Sequence, residues 1–194
     1  MRPQLKPITA AILLTLAAST HAASTDLVIS QVYSGGGATS GSPAFKQDFV
    51  EIFNRGNSPV SLSGKSVQYA SATGTGNFAV LQALPAVTLQ PGQYYLVAAA
   101  VASGAIGPNV TPSPDATGTS VGVQLAAGGG KVALVNQTGA LACNGSSASC
   151  STAQQGLIID LVGFGTANFF EGSVAPAPGA TTNAIVRANN GCSD

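Results

Sequence analysis

The chain has 194 residues; 45% are hydrophobic and only 7% charged, with seven cations, seven carboxylates and a single histidine. A length of this order fits one domain, and cations scattered this thinly argue against a protein that grips nucleic acid through a clustered basic face. The same scarcity bears on catalysis, because acid–base chemistry needs titratable side chains that converge.

The N-terminus predicts a secretory signal peptide over residues 1–22. Arg2 and Lys6 form a positive start, Ile8 to Ala18 (ITAAILLTLAA) is an apolar core too short to cross a bilayer, and Thr20 and Ala22 place small residues before a cleavage point. Cleavage after Ala22 would leave the cations Lys46, Arg55, Lys65, Lys131 and Arg187, a net charge near −2, and no histidine, since His21 departs with the leader. The expected location is outside the cell or in the periplasm. The longest later apolar stretch, YYLVAAAVASGAI from Tyr94, is broken at Ser103 and Gly104 and falls short of a membrane span.

Alternating apolar and polar positions then predict strands in succession. These are Leu27 to Ser34, Asp48 to Asn54, Lys65 to Ser71, Asn77 to Leu84 and Val87 to Leu89. After the Gln90-Pro91-Gly92 turn come Gln93 to Ala99, Ser120 to Ala126, Lys131 to Gln137, Gly156 to Phe164 and Asn183 to Ala188. No stretch carries helical periodicity, and AAAVASGA near residue 100 is interrupted too soon for more than one turn. Short strands without intervening helices predict an all-β, antiparallel sandwich with negligible helix.

DFVEIFNRG, from Asp48 to Gly56, sets two carboxylates three positions apart. Side chains of a strand alternate between faces, so Asp48 shares a face with Val50 and Ile52, and Glu51 with Phe49 and Phe53. The two cannot converge on one substrate. Val50 and Ile52 are expected in the core, Asp48 at the wetter start of the strand, and Glu51 on a partly covered outer face.

Other motifs fail on context. Gly118 to Gly122 (GTSVG) has the spacing of a nucleophile elbow, but that device needs a strand-to-helix turn and a histidine base. Gly64-Lys65-Ser66 resembles the end of a phosphate loop, yet Pro59 stands where its first glycine belongs. After Gly128-Gly129-Gly130-Lys131, Val132 replaces the metal-binding hydroxyl. Asp115 has no acidic neighbour and is expected to cap its own loop; a calcium site there would need distant carbonyls and waters. No catalytic residue, cofactor site or metal site is therefore assigned. Asp160 shares a face with Ile158 and Val162, and a buried carboxylate requires a partner, for which Arg187 on the last strand is the candidate in a structural ion pair. Glu171 receives no more than a loop role. Tyr94-Tyr95 and Phe169-Phe170 suit either a binding patch or the core. Asn109, Asn136 and Asn144 head glycosylation triplets that matter only in a host with that machinery. Cys143 and Cys150 flank NGSSAS, a tip short enough for a local disulfide.

FVEIFNRGNSPVSLSGKSVQYAS, followed by LPAVTLQPGQYYLVAA, resembles the lamin tail domain. The likeness lies in an FVE-type strand, an Asn-containing turn, a polar linker, and a Leu-x-Pro-Gly turn that opens an apolar strand. The opening LVISQVYSGGG and the late DLVGFG are similar to the bacterial secreted branch, and the resemblance covers residues 26–192. It implies an immunoglobulin-like β-sandwich. Together with carboxylates spread singly and a mature chain without histidine or a basic groove, it points to a non-catalytic accessory module that binds, targets or holds a neighbour, with no cofactor. The alternative it suggests is the N-terminal part of a longer extracellular nuclease or phosphatase, so a C-terminal catalytic domain and an extracellular surface are the expected partners. Relatives of this kind often carry cysteine where Phe169 stands, suited to pair with a late cysteine. Here the run is Asn168-Phe169-Phe170-Glu171-Gly172, which implies that Cys192 is a free thiol or pairs outside the chain.

Overall fold

The structure is a computed structural model that describes residues 24–118 and 124–191. The signal peptide, Ser120 to Val123 of one expected strand, most of the GTSVG motif and Cys192 lie outside the described residues.

Two sheets face each other. One has the order β11-β1-β2-β7-β8, built from Ile185–Val186, Leu27–Tyr33, Phe49–Asn54, Tyr94–Ala98 and Ala116–Thr117. The other has the order β10-β9-β4-β5, from Ile158–Phe164, Gly130–Val135, Ser66–Ser71 and Ala79–Ala83. A small ladder pairs β3 (Val60–Ser61) with β6 (Thr88–Leu89). Every named pairing is antiparallel except β7 with β8, which is parallel. Gln124 to Ala126, expected to end a strand, form none. Among the described residues, helix is confined to α1 (Thr152–Gln155), capped by Ser151 in a capping box with Gln154, and a 3-10 turn at Asn189–Gly191.

Alternation decides which face each side chain covers. Val50 and Ile52 of β2 meet Val132 and Leu134 of β9 in the core between the sheets, all of them solvent-free. The opposite face of β9 is buried too. Ala133 and Val135 pack with Leu161, Phe78 and Leu141 beneath the segment that carries Cys143 and Cys150. A strand covered on both sides loses the apolar–polar alternation, which is why KVALV reads as one continuous buried run. On the far side of the first sheet, Tyr33 stacks on Phe49 at 5.2 Å, and Phe45 meets both rings edge-on. Gly36 is obligatory in that region, because a Cβ there would collide with the backbone of Gln47 and Asp48.

Cys143 and Cys150 are joined in a disulfide with Cα atoms 5.1 Å apart. The bridge staples the cover of the second sheet, and closing so short a loop is worth about 2–3 kcal/mol by chain entropy. Reduction, or the Cys143→Ser/Cys150→Ser variant, is therefore expected to lower unfolding free energy by that amount in urea titrations. An unchanged midpoint would mean that the cover is held by packing alone.

Candidate functional site

Two bulges face each other across one seam of the sandwich. In β1 the register slips between Ile29 and Gln31, and in β10 it slips between Ile158 and Asp160. A bulge inserts a residue and re-aims the side chains around it. Asp160 consequently does not share a face with Ile158, as uninterrupted alternation would require. Ile158 packs on the outer cluster and Val162 on the core between the sheets, while Asp160 pairs with Leu134 and points into the seam. There it is fully buried. Its Oδ2 accepts the Ile29 amide of β1, and both its oxygens accept from Arg187 Nη2 at 2.9 Å. Arg187 also donates through Nε to the Ile29 carbonyl at 3.0 Å, from a position one residue past β11. One carboxylate and one guanidinium thus clasp a strand of each sheet.

Beside this clasp opens a cleft of about 450 Å³. Its walls are mainly apolar, with Ile29 and Val32 on one side, Val162 and Ala175 on another, and Ile185 and the exposed Val186 at the rim. Glu171 enters from the loop after β10, held where its backbone amide donates to the Leu161 carbonyl at 3.3 Å. Its Oε1 is buried and has no hydrogen-bond partner. Burial, then the neighbouring Asp160 charge, push the Glu171 carboxyl up to about 7, and a side-chain hydrogen bond with Asp160 adds to the rise, while the Leu161 amide and Arg187 pull the other way. The loop role assigned from sequence is therefore incomplete. Only the tertiary approach of residue 171 to β10 creates this environment, and no local pattern announces it.

Three further carboxylates, Asp48, Glu51 and Asp115, are tied into the scaffold. Asp48 is not at a wet strand start; it is fully buried, and its two oxygens accept the amides of Gly36 at 2.8 Å and Leu125 at 2.9 Å. Desolvation raises its pKa to about 6 against those two bonds. Glu51 lies on the other face, half-buried, and accepts from Ser30 Oγ at 2.7 Å. Asp115 is exposed and reaches back to β7, where its Oδ2 accepts the Leu96 amide at 2.8 Å, just ahead of β8. Among the described residues, no three His, Cys, Asp or Glu side chains come together in a metal-binding group.

Lys131 is a buried cation that strand alternation does not assign. It is fully enclosed, donating to the Asn144 carbonyl at 2.9 Å and Asn168 Oδ1 at 3.0 Å, and burial lowers its pKa. A lysine opening the otherwise apolar run KVALV was the available signal. Asn144 is itself fully buried, with its amide nitrogen bonded to Thr75 O and Ser147 Oγ, so its side chain is not presented for glycosylation. Tyr95 joins the core, whereas Tyr94 is 44% exposed and stacks on Phe53 at 4.4 Å. Phe169 packs edge-on against Phe78 under the disulfide segment.

With this architecture in place, comparison with known families finds a match to the Lamin Tail Domain over residues 20–163. The chain belongs to the lamin tail domain family. The match takes in both facing sheets up to Gly163, including Asp48 and Asp160, and stops short of Glu171 and Arg187, which complete the cleft. No curated protein matches the chain. Among the described residues of this lamin tail domain, no helix is long and apolar enough to cross a membrane.

Proposed function

We propose that this protein is a secreted, non-catalytic module of the bacterial lamin-tail type, which binds or positions a partner outside the cytoplasm. The observation that carries the reading is the use made of its carboxylates. Asp48, Asp160, Asp115 and Glu51 each accept hydrogen bonds from the protein's own backbone or side chains. A metal-dependent hydrolase needs convergent carboxylates kept open for metal and substrate. The lamin tail fold is a family of non-catalytic immunoglobulin-like domains, which agrees. Secretion is supported by the pattern of residues 1–22 and by a disulfide suited to an oxidising compartment.

The test is incubation of the purified protein with plasmid DNA and Mg²⁺ or Ca²⁺. The plasmid is expected to remain intact. Metal-dependent cleavage that disappears in the Asp48→Ala/Glu51→Ala variant would overturn the reading. The alternative, the front part of a longer extracellular nuclease or phosphatase, draws on the LVISQVYSGGG and DLVGFG resemblance and is decided by the coding sequence beyond Asp194.

A further inference from the structure

We propose that the cleft between β1, β10 and β11 binds an aliphatic primary ammonium group, carried by a free alkylamine or by a lysine side chain. The proposal rests on the binding-module reading and names the chemistry of its ligand. Three features of the cleft converge. A buried carboxyl oxygen, Glu171 Oε1, lacks a hydrogen-bond donor, and a buried acceptor left in this way is costly until one arrives. The guanidinium nearby is bonded to both oxygens of Asp160 and to the Ile29 carbonyl; it attracts Glu171 as well, while Asp160 repels it, so a second cation at Oε1 would let the Glu171 carboxyl ionise beside Asp160. The walls around the carboxyl are aliphatic, shaped for a chain of methylenes rather than for a hydrated metal ion.

The groups facing Glu171 set how binding varies with pH. They are Asp160 on β10, Arg187 after β11 and, across β1, Ser30 with Glu51 bonded behind it. An alkylammonium stays protonated throughout the neutral range, so its affinity follows ionisation of Glu171 and tightens as pH rises through about 7.

The experiment is a chemical-shift titration of the full protein with hexylamine, hexan-1-ol, hexanoate and Nα-acetyl-lysine-N-methylamide. Saturable shifts at the amides of Leu161, Gly163 and Gly172 are expected with hexylamine. Hexanol should bind about tenfold more weakly or worse, since a buried charge-assisted bond is lost, and the Glu171→Gln variant should lose a similar factor for hexylamine. Ala175→Leu, which fills the cleft without touching the carboxyl, should weaken hexylamine as well and covers the case in which Glu171→Gln fails to fold. Equal binding of the lysine amide assigns the site to a partner's lysine, and hexylamine alone assigns it to small amines. Hexanol or hexanoate binding as tightly as hexylamine, an unchanged affinity in Glu171→Gln, or no binding by either ammonium compound overturns the proposal. Those results would leave the module reading to the plasmid assay, whose outcome is independent of the cleft.

Discussion

Replacing Asp160 by alanine is expected to remove about 3–5 kcal/mol of stability. The carboxylate is fully buried and accepts three hydrogen bonds from two donors, one from the Ile29 amide and one on each oxygen from Arg187 Nη2. Truncation takes both bonds from a guanidinium whose side chain is 12% exposed, and it leaves the Ile29 amide facing a void inside the seam. Each of those losses carries a desolvation penalty that no new contact offsets. Arg187→Ala should cost less, because Asp160 keeps the Ile29 amide, and the double variant should cost less than the two singles added together. Urea unfolding of the four proteins measures all three quantities. A loss below about 1 kcal/mol for Asp160→Ala would mean that the clasp does not hold the sheets together.

The second large effect is on pH dependence, and its sign is opposite to that of most acidic groups. Asp48 has a folded pKa of about 6 against 3.8 for the free side chain, so between those values the folded state binds more protons than the unfolded one. Its contribution to stability is complete below about pH 3.8 and is lost as pH climbs through 6; a shift of this size corresponds to roughly 3 kcal/mol. Glu171, raised to about 7, acts in the same direction over a window reaching slightly higher. Lys131 acts in the alkaline range: burial lowers its pKa, the unfolded chain binds the extra proton, and stability rises as pH approaches 10.5. Unfolding free energy is thus expected to fall between about pH 4 and pH 7. In Asp48→Asn that slope should flatten, even though asparagine can accept only one of the two amides and lowers stability overall. Stability that rises steadily across the same interval would contradict the burial of these two carboxyls.

The fold was largely legible because its strands bury residues at period two and are separated by turn residues. LVISQVY, FVEIFN and KVALV needed no tertiary information to be found. What alternation cannot foresee is where it breaks. The bulge before Asp160 turns that side chain away from the face of Ile158, and the bulge after Ile29 leaves its amide to a partner on the other sheet. Asp48 shows a related limit. A carboxylate at the head of a strand looks solvent-facing until the Gly36 loop and Leu125 fold over it. The short strand Ala116–Thr117 carries too little pattern to register and exists because it adds in parallel to β7. Glu171 lies in an irregular loop, and its environment comes entirely from residues distant in sequence.

The central claim is that Asp48, Glu51 and Asp160 lace the sandwich rather than hold a catalytic metal. Carboxyl-detected carbon NMR of the uniformly labelled protein, followed during additions of Mg²⁺ and of Ca²⁺, tests it group by group. The account predicts that the resonances of Asp48, Glu51 and Asp160 stay in place through millimolar metal. Saturable shifts in two or more of them at a common metal concentration would show a shared site and contradict it.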